Sequence, residues 1–405
     1  MIHLNAVKGS IVRMQLIVLF IIGLTGCADQ GQTKYEAIAQ ETFLNVWSKY
    51  RVPEYGLFSE YFPHDHKPEM FYFQDSVMSA QEVAFLWPMS GVFSATNVLM
   101  ELDPDYYSPY LDSMVLAVEQ YYDDQRQPPG YQAYPTVLNV SDRYYDDNGL
   151  VGIDYVDAYE VTGNSNYLRK AEEVMAFIKS GWSDDYGGGV SWLEGVLDQK
   201  PACSNGKATV LALKLYEASS KQKYLDYGLA SYNWMMEHLK DDSINIIWNS
   251  LLTTNENNGV VQKHAYTYNT GVMIQSAVRL YKITGSAHFL ADAQNLAEGS
   301  YQYYVKETID GVPYINDLPW FVLVLFRGYQ ELFEMDNHPK YIKAIIAGAE
   351  YAYENARDSD GLFFKDWTGR NVLKGQPKWL LDVSCMIELY ARMAILEREH
   401  NFDLL

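Results

Sequence analysis

Apolar residues recur along this chain at spacings of three and four. Leu168, Ala171, Val174, Met175 and Ile178 fall on one helical face, and Leu225, Leu229, Tyr232, Met236 and Leu239 fall on another. Strand-like alternation over comparable lengths is scarce. The pattern predicts twelve helices, over about 33–51, 80–102, 108–122, 147–162, 167–180, 206–219, 223–239, 268–284, 288–304, 317–335, 340–356 and 378–398.

The helices repeat as a unit. An aromatic-aliphatic pair returns at Tyr110-Leu111, Tyr167-Leu168, Tyr224-Leu225, Phe289-Leu290 and Tyr341-Ile342, at separations of 57, 57, 65 and 52 residues. Three turns are close copies: Tyr159-Glu160-Val161-Thr162-Gly163, Tyr216-Glu217-Ala218-Ser219-Ser220 and Tyr281-Lys282-Ile283-Thr284-Gly285. Gly163 and Gly285 suit helix ends that need a left-handed residue. Five hairpins are explicit, and the last helix with the first would make a sixth. That count predicts an all-α fold closed on itself, an (α/α)6 barrel, in preference to the open superhelix that helical repeats also form. Turns inside hairpins are short. The connections between hairpins, about 52–79, 123–146, 181–205, 240–267, 305–316 and 357–377, are long and must emerge at one end. Binding and catalysis concentrate on long loops carried by a rigid frame.

Composition adjusts this picture. A 405-residue chain with 48% hydrophobic and 20% charged residues buries a large core. Its 31 Lys and Arg against 52 Asp and Glu give a net charge of −21, which excludes a nucleic-acid partner because phosphate binding draws on basic clusters. Three cysteines make no disulfide framework, and Cys203 and Cys385 read as separate buried thiols. The 34 Tyr, 16 Phe and 9 Trp are a high aromatic load; such rings fill cores, and they also make platforms on which sugars stack.

The amino terminus reads as an address. Lys8 and Arg13 precede an apolar run from Leu16 to Leu24, too short to span a bilayer and suited to a signal peptide over residues 1–26. Leu24-Thr25-Gly26-Cys27 resembles a bacterial lipobox, so Cys27 is the expected lipidation site; the alternative is an ordinary cleaved signal with an incidental cysteine. Residues 27–40 are expected to form a tether and 41–405 the barrel. The expectation is a lipid-anchored monomer at the outer membrane or cell surface of a Gram-negative bacterium, touching the membrane through the anchor alone.

Chemistry gathers where long loops enter helices. In Tyr144-Tyr145-Asp146-Asp147-Asn148-Gly149, two adjacent carboxyl groups stand at the start of the fourth helix. Amides at a helix start favour an ionised carboxylate, and a neighbouring charge raises the proton affinity of the other. One ionised and one protonated carboxyl is what glycosidic cleavage requires; an Asp-rich helix cap is the inert alternative. Trp182-Ser183-Asp184-Asp185-Tyr186-Gly187-Gly188-Gly189-Val190-Ser191-Trp192 offers glycines for close approach to a ligand and tryptophans for stacking. Cys203-Ser204-Asn205-Gly206 and Tyr266-Thr267-Tyr268-Asn269-Thr270-Gly271 open two further helices. Asp184-Asp185 is expected to shape a turn, Asp123-Asp124 and Asp241-Asp242 to be solvated charge, and Asp154 and Asp157 to cap or form salt bridges. His64-Asp65-His66 has no second cluster at metal-ligand spacing, and phosphate-loop, dinucleotide and zinc-protease motifs are missing, so neither metal nor cofactor is expected.

These motifs resemble glycoside hydrolase family 76, bacterial and fungal α-1,6-mannanases with an (α/α)6 barrel. The resemblance runs from about residue 40 to 400 and is most specific in Tyr144 to Asn148, Gly187 to Trp192, Ser204 to Gly206 and Tyr266 to Gly271. It implies a retaining, endo-acting hydrolase of mannan backbones, with Asp146 as nucleophile and Asp147 as general acid/base. Tyr145, Trp192, Asn205, Tyr268 and Asn269 are the expected sugar contacts. The family usually carries a tryptophan shortly after the pair, where this chain has Leu150 and Val151. A glycan-binding lipoprotein without catalysis, or a transglycosylase using the same carboxyl groups, are the alternatives.

Overall fold

Twelve helices account for the frame: α1 (Lys34–Lys49), α2 (Leu86–Leu102), α3 (Pro104–Val118), α4 (Tyr145–Thr162), α5 (Ser165–Ser180), α6 (Ala202–Ser219), α7 (Gln222–His238), α8 (Thr267–Thr284), α9 (Ala287–Tyr304), α10 (Pro319–Asp336), α11 (Lys340–Asn355) and α12 (Leu380–His400). They come from a computed structural model that describes residues 32–73, 76–79, 81–308 and 310–400. Cys27 and the signal segment lie outside the described residues. Residues from Thr33 onward form one unit.

The even-numbered helices form the inner ring. α2 packs on α4, α4 on α6, α6 on α8, α8 on α10, α10 on α12, and α12 again on α2. Each is buried nearly all round, as α6 shows from Ala202 to Leu215. The odd-numbered helices are amphipathic and lie outside, each packed on its hairpin partner. α1 lies on α12, so the chain ends make the sixth hairpin and the ring closes. The (α/α)6 barrel expected from the repeat is therefore the fold, and the open superhelix is excluded.

Helix α1 begins at Lys34, with Thr33 capping it and Tyr35, Ile38 and Ala39 buried. Residues 34–40 therefore belong to the folded unit, where a tether was expected. Three such apolar side chains cannot stay in water when the face of α12 lies open beside them.

Close approach between inner helices depends on glycine in one clear case. A Cβ on Gly271 would sit 2.6 Å from Leu325 Cα, and one on Gly328 would sit 2.6 Å from the Gly271 carbonyl oxygen. The backbones of α8 and α10 thus touch. In four of the five sequential hairpins the first helix ends in a left-handed residue, Gly163 (φ 69°), Ser220 (φ 55°), Gly285 (φ 69°) and Asn337 (φ 55°), whereas Asp103 between α2 and α3 has φ −149°. Each left-handed residue donates its N–H to the carbonyl four residues back, on Tyr159, Tyr216, Tyr281 and Phe333.

The long connections carry short antiparallel strands that brace the barrel mouth. Gln199–Pro201 pairs with Ser250–Leu252, which pairs with Val260–Gln262. Lys378–Trp379 pairs with Tyr61–Phe62. Arg143, almost fully buried, donates two hydrogen bonds to Glu194 and one to the Pro128 carbonyl, tying the connection before α4 to the one before α6. Asp123 belongs to this brace. It is buried, pairs with Arg126, stands 3.7 Å from Arg143 and accepts from the Gln125 N–H at 2.9 Å. The expectation of solvated charge there is corrected, because a buried cation beside it needs a counter-charge.

Candidate functional site

All six inner helices begin at the same end, so their first turns surround one cavity. Its volume is about 540 Å³. The second residue of five of these helices lines it: Trp87 of α2, Asp146 of α4, Cys203 of α6, Tyr268 of α8 and Trp320 of α10. On the sixth helix, Trp379, just before α12, takes that part of the wall. Side chains at a helix start lean toward the N-terminus, which brings this position over the barrel axis.

Nine of the twenty residues lining the cavity are aromatic. Trp87 and Phe321 stack at 6.0 Å, Tyr266 and Tyr268 at 5.7 Å, and Tyr144 packs on Trp192 at 5.1 Å. Their placement is enforced by buried polar anchors. Glu60 accepts the Trp379 indole N–H at 2.7 Å and the Phe85 backbone N–H at 2.9 Å. Asp317 accepts both the backbone N–H and the hydroxyl of Thr267 at 2.9 Å, fixing the start of α8 beside Tyr268. The Tyr145 N–H donates to the Trp192 carbonyl at 2.9 Å, which sets Trp192 beside the start of α4.

Asp146 and Asp147 both face this cavity. Burial pushes the Asp147 carboxyl well above the usual carboxylate range; Asp146 beside it adds to the shift, and Lys207 opposes it. Asp146 is 15% exposed, and its Oδ2 stands 3.8 Å from the Lys207 ammonium. The Cys203 thiol is pushed up by burial and by Asp146. Among the described residues lining the cavity, Lys207 is the one cation. The arrangement therefore sets a carboxyl that desolvation biases toward its protonated form next to a second carboxyl beside a cation, in a cavity edged by rings. Among the described residues, no group of three His, Cys, Asp or Glu side chains stands where it would hold a metal ion.

The model for glycosyl hydrolase family 76 matches residues 30–367. The chain belongs to that family. A family 76 glycoside hydrolase (mannosidase) from Bacteroides thetaiotaomicron superposes with a TM-score of 0.80 at 26% identity, over 91% of this chain and 100% of that one. Mannan endo-1,6-alpha-mannosidase DCW1 of Saccharomyces cerevisiae is 25% identical over 289 residues, 66% of this chain. The match spans 58% of that relative's length. An inactive variant of the α-1,6-mannanase from Salegentibacter, with two consecutive aspartates replaced by alanine, is solved in complex with α-1,6-mannotetrose. It matches with a TM-score of 0.73 at 22% identity, over 90% of this chain and 100% of that one, a likeness in fold.

Against this family 76 frame, four expected residues come together: Asp146, Asp147, Trp192 and Tyr268 share the cavity. Three do not line it. Tyr145 turns outward, its ring stacked on Phe177 at 4.9 Å, and its neighbour Tyr144 takes the wall position. Asn205 is fully buried and spent on backbone: it accepts from the Val190 N–H at 2.7 Å and donates to the carbonyls of Val190 and Pro201. Asn148 does the same for Tyr131 and Tyr144. The two asparagines are one repeated fastener, so neither is free to meet a sugar. Asn269 is buried, and neither side-chain polar atom has a hydrogen-bond partner.

The triple glycine does not approach the cavity. It wraps Lys200, whose ammonium donates to Ser183 Oγ at 2.8 Å and to the carbonyls of Ser183, Asp185, Gly188 and Gly189. Asp184 and Asp185 shape that turn, as expected. Asp157 pairs with Lys214 at 2.6 Å, the expected salt bridge. Asp154 is buried, and burial pushes its carboxyl up.

Sequence reasoning missed Trp87, Trp320, Phe321, Trp379 and Lys207 in the wall, and Glu60 behind it. The signal for three of the rings was register: they occupy the second or third place of an inner helix.

Proposed function

We propose that this family 76 chain is a retaining glycoside hydrolase that cuts α-1,6-mannosidic bonds inside mannan backbones. The observation that carries the reading is the pair of adjacent carboxyl groups, one raised by desolvation and one beside a cation, in a cavity edged by aromatic rings at the loop-rich end of the barrel. The yeast relative is named a mannan endo-1,6-alpha-mannosidase. The inactive Salegentibacter mannanase lost two consecutive aspartates and holds an α-1,6-linked mannooligosaccharide. Both support the substrate class.

The chemistry proceeds in two steps. Asp147, holding a proton, gives it to the glycosidic oxygen while Asp146 attacks the anomeric carbon. The bond to the leaving sugar breaks and a mannosyl ester on Asp146 forms. Asp147, now ionised, takes a proton from water as its oxygen attacks the same carbon, and the ester breaks with net retention. The aromatic wall binds the apolar faces of the pyranose rings.

Internal cleavage is supported by the shape of the groove. Phe85, Ala133 and Tyr144 line both the aspartate cavity and a second basin of about 380 Å³, bounded by Tyr134, Asn139, Ser141 and Asp142. A substrate chain thus has room beyond the aspartates. The lipobox at Cys27 supports attachment to the outer membrane, with the barrel displayed on a short tether.

Incubation with linear and branched α-1,6-mannans tests the reading. A ladder of short oligomers with retained anomeric configuration is expected, and Asp146→Asn should abolish it while binding persists. Monosaccharide alone would refute internal cleavage, inverted product would refute the ester, and binding without turnover would leave a glycan-binding protein.

A further inference from the structure

The cavity with the two aspartates does not end at its floor. Beneath it a second cavity of about 430 Å³ runs down the barrel axis, and Lys207 and Val324 line both. Lys207 stands on α6, one helical turn below Cys203. Its side chain is 9% exposed. A Cβ at Gly149 of α4 would meet Lys207 Cβ at 2.8 Å, so that glycine makes room for the lysine stem. Its ammonium therefore arrives from below, on the side of Asp146 away from the entrance for sugar.

Among the described residues, one carboxylate stands within ion-pair distance of it. Asp146 is 3.8 Å away, and the Tyr268 ring of α8 lies 6.0 Å from the ammonium. Asp147 and the Cys203 thiol share the cavity. In the lower cavity, Asp157 is engaged with Lys214 at 2.6 Å, and Arg327 of α10 with Glu388 of α12 at 2.6 Å. Two carboxyl groups against one cation in a closed wall balance when one proton stays on the pair.

We infer that Lys207 is the positioning residue that decides which aspartate of the pair carries the negative charge, holding it on Asp146 and leaving the proton to Asp147. Lys207 acts by its charge on the pair: it stands 3.8 Å from Asp146, and its pull on Asp147 is opposed there by desolvation. The inference rests on the reading of Asp146 as the attacking carboxylate, but its test does not.

Carboxyl 13C NMR of the full chain labelled at aspartate follows the pair without substrate, with Asp146→Asn and Asp147→Asn assigning its signals. In wild type the pair is expected to lose its two protons in separate steps. Lys207→Met keeps the buried stem, and circular dichroism with thermal unfolding checks that it folds. The lower step should then move up by about one to three pH units, the span set by a unit charge at this distance in water or in a protein surface environment. Lys207→Arg should restore it. The acid limb of kcat/KM on mannooligosaccharides should move by the same amount, costing about tenfold or more one pH unit below the wild-type optimum. A folded Lys207→Met whose lower step stays in place overturns the inference. A wild-type protein inactive on mannan would sink the functional reading alone, because the NMR titration still decides the role of Lys207.

Discussion

Glu60→Gln is the most informative change outside the aspartate pair. Glu60 is 1% exposed and joins two distant parts of the cavity wall through one carboxylate. Oε1 accepts the Trp379 indole N–H at 2.7 Å, Oε2 accepts the Phe85 N–H at 2.9 Å, and both of those residues line the cavity. Glutamine preserves the volume but has one accepting oxygen. The other position becomes an NH2 group pointed at an N–H donor. One hydrogen bond to a charged group, worth about 1.5–3 kcal/mol, is weakened to a neutral one, and a second is lost with its buried donor left unsatisfied. The expected loss is about 2–4 kcal/mol in total. Denaturant unfolding should show a lower midpoint at constant slope. Because both Trp379 and Phe85 line the cavity and one of them loses its anchor while the other is held more weakly, kcat/KM on α-1,6-mannooligosaccharides should also fall about tenfold, the equivalent of 1.4 kcal/mol in the transition state. An unfolding free energy within about 0.5 kcal/mol of wild type, with unchanged kcat/KM, would refute the anchoring argument.

Three other changes probe the charge arrangement. Asp147→Asn should slow cleavage of natural linkages by about 10²–10⁴-fold. Aryl mannosides with good leaving groups should be far less affected, and equal losses on both would contradict its role as acid. The Asp147 carboxyl is raised by burial, so wild-type activity falls as pH climbs through its titration, and the asparagine variant should lose that basic limb. Asp382 is buried, has an unpartnered Oδ1, and is pushed up to about 7 by burial. Its native form holds a proton that the unfolded chain releases at about pH 4, so wild-type stability should fall as pH rises from about 4 through 7. Asp382→Asn removes that slope; an advantage over wild type that does not grow between pH 5 and pH 8 in denaturant unfolding would count against this. Glu388 is fully buried, accepts from Arg327 at 2.7 and 2.6 Å, from Arg392 at 2.7 Å and from Ser94 at 2.8 Å, and is lowered to about 2 by burial-opposing attraction to both arginines. Glu388→Ala leaves two guanidinium groups uncompensated and should cost about 3–5 kcal/mol; a loss under about 1 kcal/mol would show that the network carries little.

The frame was legible because it is repetitive. Tyr159, Tyr216 and Tyr281 each sit four residues before a left-handed turn residue, and that spacing recurs with the aromatic-aliphatic pairs. The helix starts were less legible. α4 begins at Tyr145 and α6 at Ala202, ahead of the positions that periodicity alone indicates, because those first turns are held by loop contacts distant in sequence. One such contact is the Ala202 N–H donating to the Asn249 carbonyl at 2.7 Å. The carboxyl pair was visible because two adjacent aspartates at a helix start are uncommon as core residues. Lys207 was invisible because a lysine in a helix ordinarily faces water. Its burial follows from α6 being enclosed on every side, a property of the closed ring. Glu60 lies 319 residues from the indole it holds, and no local pattern carries that pairing.

The repeat also explains why chemistry appears where it does. Five inner helices offer the same slot over the axis, filled by Trp87, Asp146, Cys203, Tyr268 and Trp320. Four of these side chains carry no formal charge in their ordinary neutral forms, and only α4 places a carboxylate there. The converging helix starts favour negative charge at the cavity, so an acidic residue is better tolerated in this slot than in the apolar core below. A second acid at the next place cannot be ionised as easily, since the first already occupies that field. At the corresponding place α6 has Ser204, α8 has Asn269 and α12 has Asp382, all buried away from the cavity, and α10 has Phe321 in its wall, so Asp147 is the one acid at this place that opens onto it. The functional asymmetry thus comes from one helix start departing from its copies, with Lys207 on the adjacent helix supplying the countercharge that lets the two acids differ.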